Sequence, residues 1–165
     1  MLPSGNHKPE MLTVLSRVLD DIGDRPFDAE LEARLNRLFG SGGETFESLT
    51  RLLKLGVEEG WAGYEPVDGA DYRRGRIADP SNETAGMSVE SGVLRNVKGE
   101  YHCHTRGEIN MIIPLDRSAQ FSGHGIGWMV FPPLSEHFPT VTGGKALMMY
   151  FLPNGEIEYK TPPTT

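Results

Sequence analysis

Apolar residues recur at helical spacing over the first part of the chain. Leu15, Val18, Leu19 and Ile22 fall on one stripe, Leu31, Leu35, Leu38 and Phe39 on a second, and Phe46, Leu49, Leu52 and Leu53 on a third. Each stripe repeats every three to four positions, as one face of an α-helix does. Three helices are therefore predicted between residues 11 and 61. Gly23-Asp24 and Pro26 punctuate the first boundary and Gly40-Ser41-Gly42-Gly43 the second, with Ser41 and Glu44 spaced as a capping box for the third helix and Gly60 ending it. After Trp61 the helical period disappears. Met87 to Leu94, Glu108 to Leu115, Gly127 to Phe131 and Ala146 to Leu152 have the length and composition of strands, set among Gly and Pro, and predict a β-sandwich or barrel. The expected division is a helical segment over 1–62, a β barrel over 63–160 that carries the site, and a tail over 161–165. The first ten residues are polar and Pro-containing and are expected to be a loose tail as well.

Composition narrows the partners. The 165 residues are 38% hydrophobic, enough for one buried core, and 16 Lys and Arg against 23 Asp and Glu leave a formal charge of -7. That field repels polyanions, so nucleic acid and anionic membrane surfaces are excluded as partners. Residues 1–62 hold seven basic against eleven acidic side chains, which argues against a DNA-binding head. The single cysteine, Cys103, excludes an intramolecular disulfide framework, and the N-terminus has no charged-then-apolar signal pattern, so a reducing cytoplasm is the expected address. No apolar run approaches the roughly 20 residues that cross a bilayer. Small molecules and proteins remain. The helical stripes and the edges of a short sheet need cover, which predicts a homodimer.

The chemistry concentrates in His102-Cys103-His104-Thr105-Arg106-Gly107-Glu108 and in His137, which follows Pro132-Pro133-Leu134-Ser135-Glu136. Three imidazoles and a carboxylate are a ligand set for a divalent transition metal. On a strand, His102 and His104 point to one face and Cys103 to the other, where packing is its expected role. Unbroken strand would carry Glu108 about 13 Å past His104, so the chain must turn between them. Thr105-Arg106-Gly107 supplies that turn, with Gly107 free to take a positive φ.

This pattern resembles the cupin superfamily, whose first motif is His-x-His, three or four residues, then Glu, and whose second is Pro-x-Gly-x-x-His. His102, His104 and Glu108 match the first, and Pro132 and His137 the second. Leu134 stands where the family has Gly, and the leading Gly of the first motif, Gly99, is closer than usual. The resemblance implies a mainly β fold, a cupin jelly-roll barrel here preceded by an α-helical segment. It also implies one metal ion held by His102, His104, Glu108 and His137, with Fe, Mn, Zn and Ni all admissible. Residues 99–110 (GEYHCHTRGEIN), 123–128 (GHGIGW) and 137–147 (HFPTVTGGKAL), together with the helical segment, are similar to the small family that contains 4-hydroxylaminobenzoate lyase. That similarity implies conversion of 4-hydroxylaminobenzoate and water into 3,4-dihydroxybenzoate and ammonia.

A small aromatic carboxylate as substrate needs a cation. Arg73, Arg74 and Arg76 form the densest basic cluster, and Arg95 and Arg106 stand near the motif. Arg73, Arg76 and Arg95 are the substrate-binding candidates, because guanidinium offers carboxylate a bidentate fork; Arg106 sits in the turn and is the weakest. Glu108 and His124 are the catalytic candidates for proton transfer, with Glu136 secondary, and His7 in the tail has no expected role. Two rivals share the ligand set: a non-haem iron dioxygenase acting on an aromatic acid, and a ligand-binding cupin without catalysis.

Overall fold

The structure, a computed structural model, describes residues 6–163. The expected helices form as α1 (Lys8–Ile22), α2 (Ala29–Phe39) and α3 (Glu44–Glu59). The first starts earlier than its apolar stripe, because His7 precedes it and donates its backbone N–H to Glu59 Oε1 at 2.9 Å, while its Nδ1 lies 2.5 Å from Glu59 Oε2. Residues 7–10 thus belong to the fold and not to a tail. The remaining expected tail positions, 1–5 and 164–165, lie outside the described residues, and 161–163 are exposed without regular structure. Asp28 caps α2 by accepting from Leu31 N at 2.9 Å. The capping box expected at Ser41 and Glu44 does not form, because Gly43 occupies the N-cap in an extended conformation; Glu47 instead accepts from Gly42 N.

Among the described residues, ten strands follow: β1 (Glu65–Pro66), β2 (Tyr72–Ala78), β3 (Met87–Lys98), β4 (His102–His104), β5 (Glu108–Pro114), β6 (Gln120–Phe121), β7 (Gly127–Phe131), β8 (Ser135–His137), β9 (Thr140–Pro153) and β10 (Glu158–Tyr159). Every pairing between them is antiparallel. One sheet runs β1-β2-β3-β9-β5-β7 with β6 beside β9, and a small sheet runs β10-β4-β8. This is the mainly β, cupin-like architecture with three leading helices that the motifs imply.

Strand alternation assigns the two faces of the large sheet. Gly75, Ser91, Met149, Met111 and Trp128 share one cross-strand row, and Val89, Phe151, Ile109 and Val130 another. Their apolar members pack with Leu15, Leu35, Phe46 and Leu53 of the helices into one core. On the opposite face, Leu94, Ile112, Met148 and Ala146 join Phe121 and Val141 in a smaller cluster inside the barrel.

Helix α2 also closes the free edge of β7. Asn36 donates Nδ2 to Trp128 O at 2.8 Å and accepts from Trp128 N at 2.9 Å, while Glu32 Oε1 accepts from Val130 N at 2.8 Å. Two helical side chains thereby replace a neighbouring strand. This edge is covered within the chain, while Leu38 of the second stripe stays 48% exposed, so part of the surface from which a dimer was expected remains open. Among the described residues no helix is long and apolar enough to cross a membrane.

Candidate metal centre and pocket

The small sheet is built to bring histidines together. β4 pairs antiparallel with β8 so that His102 lies opposite His137, and period-two alternation puts His104 on the same face. The turn after β4 forms as the spacing required: Gly107 takes φ 90 and donates its N–H to His104 O, and Glu108 opens β5. A Cβ at Gly107 would meet Phe131 O at 2.8 Å and the Phe27 ring at 2.7 Å, so the turn is closed against the loop between α1 and α2. On the second motif, Leu134 adopts a left-handed conformation, with φ 70, and its N–H bonds His104 O at 2.8 Å.

His104 Nε2 lies 3.1 Å from His102 Nε2, 3.0 Å from His137 Nε2 and 3.3 Å from Glu108 Oε1. His102 donates Nδ1–H to Glu100 O at 2.9 Å, which leaves its Nε2 as a bare lone pair facing the others. Nδ1 of His104 and of His137 is buried without a partner. Burial, with the neighbouring imidazoles, holds His104 down to about 3 and His137 down to about 4, and burial lowers His102 as well. All three rings are therefore neutral at pH 7, so each keeps an unprotonated nitrogen that can serve as a ligand, and on His102 that nitrogen is Nε2. Two nitrogens about 2.1 Å from a common ion at right angles are about 3.0 Å apart, so a divalent transition ion fits the donor set. Burial also pushes the Glu108 carboxyl up to about 8, a preference that an adjacent cation reverses.

The site opens into the barrel. His102, His137 and Glu108 form one wall of a cavity whose other polar walls are Arg74 and Tyr72 of β2, Asn110 of β5, Tyr150 of β9 and Tyr159 of β10; Leu94, Phe121 and Met148 supply apolar surface. Arg74 Nη1 donates to the Tyr159 hydroxyl at 3.0 Å, and the Tyr159 ring stands 5.8 Å from that of His102.

A profile of the family described as 4-hydroxylaminobenzoate lyase (PnbB) matches residues 13–159. The chain belongs to that family. It is similar to a 4-hydroxylaminobenzoate lyase of Nocardioides sp. (strain LMS-CY), 39% identical with 88% of this chain and 90% of the relative covered. A second protein of that name, from Pseudomonas putida, is 34% identical, with 93% and 96% covered. Among solved structures, an RmlC-like cupin protein from Ralstonia eutropha aligns with a TM-score of 0.45 at 16% identity, over 59% of this chain and 64% of that one.

The arginines expected to bind substrate face elsewhere in this lyase-family chain. Arg73 donates to the backbone oxygens of Gly63 and Tyr64, because it has the opposite strand parity to Arg74. Arg76 is tied to Glu90 and Asp79, and Arg95 lies between Asp71 and Asp116, so their charges are already matched. The cation in the cavity is Arg74, which composition alone could not separate from its neighbours. His124 is exposed, only its backbone pairs, with Phe121, and it is not among the residues that line the cavity. Glu136 points away from His137 and holds the Tyr101 hydroxyl at 2.8 Å and Lys160 Nζ at 2.7 Å. Arg106 aims outward to Glu156, and Cys103 is buried on the face away from the histidines. Asn110, Tyr150 and Tyr159 were missed. Asn110 shares strand parity with Glu108 and Tyr150 with Met148, which is legible only once the register is known, and no such relation marks Tyr159 on β10.

Proposed function

We propose that the protein is a metal-dependent lyase that converts 4-hydroxylaminobenzoate and water into 3,4-dihydroxybenzoate and ammonia. The observation that carries the reading is the cluster of three neutral imidazoles, with Glu108 Oε1 3.3 Å from His104 Nε2, at the end of a cavity with Arg74 on another wall. Family membership supplies the substrate class. His102, His104, Glu108 and His137 hold the ion, and its identity among Fe, Mn, Zn and Ni is open to all four under this donor set. When bound, such an ion supplies the Lewis acidity that eases loss of an N-hydroxyl oxygen.

The other roles fall to the chain. Arg74 binds the substrate carboxylate, its guanidinium held in place by the Tyr159 hydroxyl. Arg74 on β2 and Glu108 on β5 stand three strands apart in the sheet and line the same cavity, which a para-substituted ring spans between them. Leu94, Phe121 and Met148 pack the ring and keep bulk water from its faces. Glu108 stands where a carboxyl can carry a proton to the departing oxygen. In balance, N–O cleavage releases one water. Addition at the neighbouring ring carbon and hydrolysis of the C–N bond consume two, and the two electrons that reduce nitrogen come from the ring, so no external oxidant is needed.

The test is turnover under argon. Purified protein carrying about one equivalent of metal should release ammonia and 3,4-dihydroxybenzoate in equal amounts from 4-hydroxylaminobenzoate without O2. Chelation should abolish both products and metal should restore them. Products that appear only with oxygen would point to the dioxygenase chemistry instead, and full turnover after complete metal removal would end the metal-dependent reading.

A further inference from the structure

Asn110 is 1% exposed and lines the cavity, yet its Nδ2 makes no hydrogen bond. The amide stands near Glu108, two residues back on the same face of β5, and favours that group's charged form without reaching bonding geometry. Across the strands it lies opposite Tyr150 of β9 and Met129 of β7. A buried donor left without an acceptor costs folding free energy, and an apolar side chain of the same shape would avoid that cost. The position therefore retains a penalty that packing does not explain. Asn110 lines the cavity a ligand would fill, so its buried amide lies at that wall.

We infer that Asn110 determines specificity by donating Nδ2–H to the oxygen of the substrate's hydroxylamino group. The inference rests on the proposed function and deepens it. Asn110 belongs to the Glu108 end of the cavity, three strands from Arg74, so the carboxylate and the N–O oxygen engage different residues. A site that hydrogen-bonds an oxygen rejects the analogue lacking it far more strongly than an apolar pocket does, because the donor is then left unpaired in both free and bound protein. The corresponding arylamine, 4-aminobenzoate, has the same ring and carboxylate but no oxygen on nitrogen. It should bind through Arg74 and gain nothing from Asn110.

The experiment compares the metal-loaded wild-type protein with Asn110→Leu, near-isosteric and apolar, and with Asn110→Ala, which cannot overpack if the leucine variant fails to fold. Measured are kcat/KM for 4-hydroxylaminobenzoate per metal-loaded site, the inhibition constant of 4-aminobenzoate, and the ligand-free Tm. The expected result is a loss of about 100-fold in kcat/KM, an inhibition constant within about threefold of wild type, and, for Asn110→Leu, a Tm that is not lowered. Equal weakening toward both ligands, or unchanged kcat/KM in a folded variant, overturns the inference while leaving the lyase reading intact. Wild-type protein that does not turn over 4-hydroxylaminobenzoate at all overturns both together.

Discussion

Replacing Glu108 with glutamine should make the metal-free protein more stable, and increasingly so as pH rises. Burial sets the carboxyl at about 8 in the folded chain against an ordinary 4.5, so the folded state holds this proton more tightly than the unfolded state does. The stability it contributes is complete below about pH 4.5 and is lost as pH climbs through 8. Integrating the two titration curves, wild type loses roughly 1 kcal/mol by pH 5 and roughly 4 kcal/mol by pH 8. Glu108→Gln keeps the shape and removes the titration. The histidines are lowered on folding and act in the opposite sense, losing stability as pH falls below their ordinary 6.5. They are common to both proteins and enter the difference only through the His104–Glu108 contact. Urea unfolding of chelator-treated wild type and Glu108→Gln, at pH 5 and pH 8, should show the gap widening by about 3 kcal/mol in favour of the variant. With metal bound the order should invert, since the cation needs the carboxylate. A gap that changes by less than about 1 kcal/mol between the two pH values would refute the claim that burial governs this group.

Arg74→Gln should raise KM for 4-hydroxylaminobenzoate by about 30-fold or more with kcat within about threefold, whereas Arg95→Gln should leave both unchanged; steady-state kinetics decide. Asn36→Ala removes both bonds to the Trp128 backbone and should cost about 2–3 kcal/mol in urea unfolding while activity per folded molecule stays the same. Leu134 is 73% exposed and has φ 70, so Leu134→Gly should relieve up to about 1 kcal/mol of backbone strain with little buried surface lost. A loss of more than about 1 kcal/mol in that variant would show that the leucine side chain, not the turn, matters there.

The chain's own order of residues determined most of the elements and the histidine cluster. Periodicity is a local property, so Leu15, Val18, Leu19 and Ile22 announced a buried helical face, and four of the long strands were legible from their composition. The histidine triad was legible too, because His102 and His104 share a face by alternation alone and Gly107 marks the turn that returns Glu108 to them. What only the tertiary structure decided was everything that depends on register and on partners distant in sequence. Arg73, Arg74 and Arg76 are indistinguishable as letters; strand parity and the prior claims of Gly63, Tyr64, Glu90 and Asp79 leave Arg74 as the cation of the cavity. His124 and Glu136 carried catalytic chemistry by type alone, and one is solvated while the other is spent on Tyr101 and Lys160. Asn110 shares a strand face with Glu108, but an asparagine becomes informative only when its surroundings deny it a partner. Local spacing is written along the chain, but which groups compete for a charge or a hydrogen bond is settled by folding distant segments against one another.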